Sequence, residues 1–108
     1  MNSPYESLIG QRVIVRASMA GVYAGIVAEA HADGVTLAPG ARQLHYWSAG
    51  GSVPQVAERG IRQAGSRITS PSTYPLILAG PAGVVQVVQC TDIAWESIMG
   101  AAPWLGGL

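Results

Sequence analysis

The sequence predicts a mainly β domain with two short helices, built as a small antiparallel open barrel or curled sheet of five to six strands. Three observations predict it. Short runs of β-branched and apolar residues are punctuated by Gly, Pro, Asp and Ser. Only two segments combine a helix N-cap with a glycine stop. The chain has 108 residues, which suits one core and leaves too little for a second.

The first strand spans Arg12 to Ala17, where Val13 and Val15 alternate against Arg12, Ile14 and Arg16. Val22 to Ala30 continues in β character. Ala32-Asp33-Gly34 then supplies residues that accept positive φ, which predicts a hairpin into Val35 to Leu37. After Pro39-Gly40, a strand from Arg42 to Trp47 places Leu44 and Tyr46 on one face with Arg42, and Gln43, His45 and Trp47 on the other. Ser48 to Gly51 forms a small-residue turn. Ser52 stands as N-cap, Pro54 lies in the first turn and Gly60 is the stop of a helix of about two turns.

From Ile61 to Pro75 the density of Gly, Ser and Pro predicts an irregular, mobile connection able to close over a site. Leu76 to Leu78 and Val84 to Val88, separated by Gly80-Pro81, are nearly continuous in hydrophobicity, as strands buried on both faces are. They are expected at the centre of the sheet. Thr91 caps a second helix over Asp92 to Met99, with Gly100 as its end. Its stripe of Trp95, Ile98 and Met99 requires a surface to bury against, either the sheet or another subunit.

Hydrophobic residues make up 49% of the chain and charged residues 11%, far below the roughly 25% of an average domain, which excludes disorder. The formal net charge is zero, so the broad basic surface of a long nucleic-acid binder is absent. The apolar stretch from Tyr74 to Val88 breaks well short of the ~20 residues of a membrane helix. No membrane partner and no signal peptide is expected, and the expected location is the cytoplasm. So few charges leave a small domain poorly protected from self-association, which predicts a homo-oligomer. Cys90, the only cysteine, fits a reducing compartment and reads as a small core residue at the end of an apolar run.

All six basic residues are arginines, a count that GC-rich coding explains, so that any function lies in their placement. Guanidinium offers bidentate donors to phosphate and a flat face for stacking. Arg16 and Arg42, in strands beside apolar and aromatic neighbours, are the candidates for phosphate. The alternative for each is a solvent-facing strand residue or an ion pair with Glu29 or Asp33. The densest chemical stretch is Ala41 to Trp47. Within it Tyr46 and Trp47 could stack on a base while Arg42, Gln43 and His45 donate to it, although Trp47 could equally be core. Tyr23 sits in Gly21-Val22-Tyr23-Ala24-Gly25, where a phosphate could approach backbone amides or where a tight turn simply feeds the strand. Arg62 and Arg67 lie on the expected mobile segment.

No metal and no cofactor is expected, since His31 and His45 lack partners at ligand spacing. No catalytic residue is assigned either: Glu29, Asp33, Glu58, Asp92 and Glu96 form no evident acid/base pair, and no hydrolase elbow, phosphate loop or dinucleotide fingerprint occurs.

Val13-Ile14-Val15-Arg16, Ala20-Gly21-Val22 with Gly25, Ala41-Arg42 with Tyr46-Trp47, Gln89-Cys90-Thr91 and a closing Pro103-Trp104 resemble, in this order and spacing, a family of small phage and prophage proteins of unassigned function. Two positions depart from that pattern: Met19 stands where the family has Ser, and Gln43 where it has a second basic residue. In size, charge and implied origin the chain is also similar to sponges, small oligomeric β-rich phage proteins that sequester cyclic nucleotide or cyclic ADP-ribose signals of host immunity. The resemblance implies a non-catalytic, anti-defence binding protein with a small anionic nucleotide held by Arg16, Arg42, Tyr46, Trp47, His45, Tyr23, Arg62 and Arg67. The alternative is a phage structural or assembly protein whose second helix, Trp95, Trp104 and Leu105 contact other chains. An enzyme degrading the same nucleotide is the third reading.

Overall fold

Strand β1 (Arg12–Ala17) is the hub of the fold, with Val13, Ile14 and Val15 each 0% exposed. Three consecutive buried residues require cover on both faces of the strand, because successive side chains point to opposite sides. A computed structural model shows that cover; it describes residues 3–18, 21–48, 51–80 and 84–104. Met19, Ala20, part of the expected turn at 49–50, Pro81 and Leu105 lie outside the described residues.

β1 pairs antiparallel with β2 (Gly21–His31) on one side and with β7 (Val84–Gln89) on the other. Beyond β2, its first half pairs with β4 (Arg42–Ser48) and its second half with β3 (Gly34–Leu37). β4 in turn pairs with β5 (Arg62–Ile68), and β3 with β6 (Leu76–Leu78). The seven strands thus form one sheet of order β5-β4-β2-β1-β7, with β3 and β6 branching from β2, and the sheet does not close.

Ile14 and its neighbours Ala24, Leu44 and Ile68 face the two helices, α1 (Val53–Arg59) and α2 (Asp92–Met99), which bury Val53, Val56, Ala57, Ala94 and Ile98 against them. On the other face Val13, Val15, Ala17 and Val27 pack with Val35, Leu37 and Leu78, so the β3–β6 branch curls back over the sheet. Each helix is stopped and started by its own sequence. The Ser52 amide donates to Gln55 Oε1 at 2.8 Å at the head of α1, and Thr91 Oγ1 accepts from the Ala94 amide at 3.2 Å at the head of α2. Trp95 and Met99 pack against the helix-side cluster with Ile98, so the apolar stripe of α2 is spent on its own sheet.

The expected strands over 12–17, 22–30, 35–37 and 42–47 and both helices are present, and the mainly β, unclosed architecture stands. Two expectations are corrected. The segment 61–75 is not a loop throughout: Arg62 to Ile68 is strand β5, whose polar sequence is explained by its mostly exposed pattern at the margin of the sheet. The apolar strands β6 and β7 are not central. Among the described residues each pairs with a single strand, and the centre belongs to β1 and β2. Gly34 is also needed for a different reason from the one expected. Its φ is not positive; instead a Cβ there would stand 1.9 Å from the Leu78 carbonyl oxygen, so the β3–β6 backbones approach too closely for any side chain.

Gly60 ends α1 with φ +84° and ψ −160°, a region essentially closed to other residues. A Cβ there would meet Ser97 Oγ at 2.2 Å and Ala94 Cα at 3.1 Å, where the two helices touch. Gly60→Ala is therefore expected to lower the unfolding free energy by about 2–3 kcal/mol through backbone strain and helix displacement together. Urea unfolding with an unchanged m-value is the measurement, and a loss within experimental error would refute the account.

Candidate functional site

Arg42, a charged residue at the first position of β4, is 1% exposed, among the most completely buried side chains described. Its position opposite Ala24 on β2 points it to the helix side, beneath the end of α2. There Nε donates to the Thr69 carbonyl at 2.7 Å, and one terminal nitrogen donates to the Ile98 and Met99 carbonyls at 2.9 and 3.0 Å. Those two carbonyls belong to the last turn of α2, where the helix leaves its oxygens unsatisfied and carries partial negative charge. The guanidinium is thus neutralised by helix and loop carbonyls instead of a carboxylate. Burial lowers its pKa from the ordinary guanidinium value, and it remains protonated at neutral pH. The other terminal nitrogen is buried without a hydrogen-bond partner among the described residues.

Four residues further along β4 the environment turns outward. A register shift between Leu44 and Tyr46 breaks strict alternation, and Tyr46 emerges 55% exposed, paired with Arg67 of β5. The Arg67 guanidinium carbon lies 5.9 Å from the Tyr46 ring centre and 5.3 Å from that of Trp104. Both fall within cation–π reach. His45 stacks on Trp104 with ring centres 4.9 Å apart and planes at 10°. Trp104 is held there by backbone: its amide donates to the Ile68 carbonyl at 2.7 Å, and Pro103 bridges Ile68 in parallel register, continuing the sheet beyond β5. A guanidinium, a phenol, an indole and an imidazole therefore share one exposed corner of the sheet.

This corner gathers three residues expected to act at a site, His45, Tyr46 and Arg67, and leaves the others elsewhere. Arg16 is exposed on β1 opposite Val22 and Gln86, on the helix side but two strands from β4. Tyr23 packs on the opposite face with the β3–β6 cluster. Trp47 packs against the helix-side core and donates its indole N–H to the Gly51 carbonyl at 2.8 Å, a core role with a polar tether. Arg62 stands at the other end of β5, paired with Ser48. Both Arg62 and Arg67 ride on a strand, so neither belongs to a lid. His31 is engaged with the Thr36 hydroxyl at 2.7 Å. Trp104 is the residue that sequence reasoning assigned to contacts with other chains. Its place beside residue 67 depends on β5 being a strand, and only that reading of 62–68 could have found it.

The electrostatics favour negative charge at this corner. Among the described residues Arg12 and Asp92, 3.4 Å apart, make the one ion pair, so Arg67 has no carboxylate partner there. Strands β4 and β5 carry Arg42, Arg62 and Arg67 and no acidic residue. Residues 10–98 match the family described as a domain of unknown function, DUF6948. The chain belongs to this family. No curated protein and no solved structure matches it. Within this DUF6948 domain the matched region holds His45, Tyr46 and Arg67, whereas Trp104 lies beyond it.

Two outcomes follow from buried groups of the helix side, Arg42 under the corner and Cys90 after β7. Arg42→Met leaves the Thr69 and Met99 carbonyls without their donor and the Ile98 carbonyl with only a backbone amide, and is expected to cost about 2–4 kcal/mol in urea unfolding, with Arg42→Lys recovering little because one ammonium cannot span all three. An unaltered midpoint for either would contradict the anchoring role. Burial pushes the Cys90 thiol up from 9.0 to about 11. Above pH 9 the unfolded chain then loses its thiol proton while the folded chain keeps it, so stability is unaffected below pH 9 and falls between pH 9 and about 11. Unfolding midpoints across that range should drop more steeply for the natural chain than for Cys90→Ala; equal slopes would refute the shift.

Proposed function

We propose that this DUF6948 protein is a non-catalytic binding protein that holds a small anionic nucleotide against the corner formed by His45, Tyr46, Arg67 and Trp104. The observation that carries the reading is Arg67: a guanidinium set against two aromatic rings, without a neighbouring carboxylate among the described residues. Such a group offers paired donors to a phosphate while the ring faces beside it offer stacking area to a base. The chemistry of the corner supports binding over turnover: His45 is its one general-base candidate, its ring is stacked on Trp104, and among the described residues no carboxylate beside it orients it and no thiol stands by as nucleophile. Arg42 serves this reading from beneath, fixing the start of β4, while Arg16, Tyr23 and Trp47 stand outside it.

The biological setting we propose is the one that the sequence resemblance implies: a phage-encoded sponge in the host cytoplasm, sequestering a cyclic nucleotide or cyclic ADP-ribose signal. Calorimetric titration against cyclic dinucleotides, cyclic trinucleotides and cyclic ADP-ribose isomers tests it. At least one should bind and be recovered intact, and Arg67→Ala and Tyr46→Ala should each weaken binding by roughly tenfold or more. Silence across the panel, or binding indifferent to Arg67, overturns the proposal. A specific observation keeps the assembly reading alive: Tyr74 and Ile77, at and beside edge strand β6, are 76% and 72% exposed. Recovery of the chain from purified virions would favour that second reading.

A further inference from the structure

Strand β7 has the composition of a central strand and the position of an edge. Its sequence, Val-Val-Gln-Val-Val-Gln, contains no charge, proline or glycine, and among the described residues only β1 pairs with it. Val84, Gln86, Val87 and Val88 are all left partly exposed. Natural edge strands are ordinarily protected by lysines, prolines, bulges facing the rim or a covering segment, because their free N–H and C=O groups accept any strand that arrives. The register shift in this pairing sets Gln86 and Val84 of β7 opposite Arg16 and Ala17 of β1, so Val85 is an extra residue on β7 and a bulge marks the start of the strand; from Gln86 to Gln89 the pairing is regular, and that stretch carries none of the side-chain devices. Water can satisfy such a row of backbone donors and acceptors, but only another extended strand satisfies it and covers the valines beside it at once.

We propose that β7 is a dimerisation edge, and that its partner is β7 of a second copy of this chain, paired antiparallel across a two-fold axis perpendicular to the sheet. The choice of partner rests on charge and symmetry. Antiparallel apposition of a strand with itself places valine and glutamine against valine and glutamine, so an uncharged strand meets its own copy without repulsion or an unpaired ion. The axis keeps like faces together. Gln86 and Val88, which lie opposite Arg16 and Ile14 on the helix side, remain on the helix side of a continuous sheet that runs through both copies. The Val87 side chains, on the branch side, come together on the other face. The inference is independent of the nucleotide corner, which lies at β5, the opposite end of the strand order.

Sedimentation equilibrium of the full chain, from low micromolar to near-millimolar concentration, tests it with the variants Gln86→Lys and Gln86→Glu. The natural chain should form a dimer; Gln86→Lys alone should weaken dimerisation by roughly tenfold or more through like charges near the axis, and Gln86→Glu by less, since Arg16 opposite it offsets the added charge. An equimolar mixture of the two variants should dimerise again, which also shows that both fold. A natural chain that stays monomeric throughout, self-association that both variants leave intact, or a mixture that fails to recover would each overturn the proposal. Nucleotide titration of the monomeric variants reads the corner separately, since its loss or retention there does not depend on the β7 pairing.

Discussion

One buried guanidinium holds the helical layer to the sheet. Arg42 reaches from β4 to the last-turn carbonyls of α2 and to the carbonyl of Thr69, the residue following β5. A buried charge is tolerated only when its donors find acceptors, and here a helix C-terminus supplies two of them with the favourable sign of its dipole. The same residue therefore fixes where α2 ends, where β4 starts and where the chain leaves β5. The Thr69 amide donates to the Gln43 carbonyl at 3.0 Å and the Gln43 amide donates to Thr69 Oγ1 at 2.9 Å, which locks that junction. The exposed corner four residues along β4 inherits its geometry from this anchor.

The scarcity of charge elsewhere explains why so much depends on backbone. The one ion pair described, Arg12 with Asp92, is solvent exposed and contributes at most about 1 kcal/mol. Cohesion comes instead from two apolar clusters on opposite faces of β1 and β2, and from close approaches that only glycine permits, Gly34 against β6 and Gly60 against α2. Those approaches bring layers near enough for Val, Ile and Ala side chains, which are short, to fill the interior without large aromatics.

Most of the element list was legible because local signals agreed: Thr91 and Ser52 as caps, Gly60 as a stop, Ala32-Asp33-Gly34 as a turn. Pairing was not legible. The valines of β7 look the same in sequence whether one neighbour or two flank them, and β1, which is truly central, hides its buried Ile14 between two arginines. Strand β5 was missed because exposure at the sheet margin leaves its sequence as polar as a loop. For the site, Tyr46, His45 and Arg67 were legible as chemistry, and their convergence was not, since it is made by β4–β5 pairing and by Trp104 arriving from far along the chain. Arg42 was legible as an unusual arginine in a strand. Its burial was not, because the carbonyls that receive it lie 27 to 57 residues away.

On the two proposals, the two ends of the sheet have separate roles. The arginine-aromatic corner lies at β5 and the uncharged valine edge at β7, four strand spacings away, or about 19 Å at the usual separation. Pairing through β7 would set two corners at the far ends of one continuous sheet, too distant for a single small nucleotide to touch both. Each copy would then bind its own ligand, without the shared boundary pocket in which subunits complete one another's site. Any cooperativity between the copies would have to pass through the sheet. If both proposals hold, each chain captures its molecule independently of the other copy.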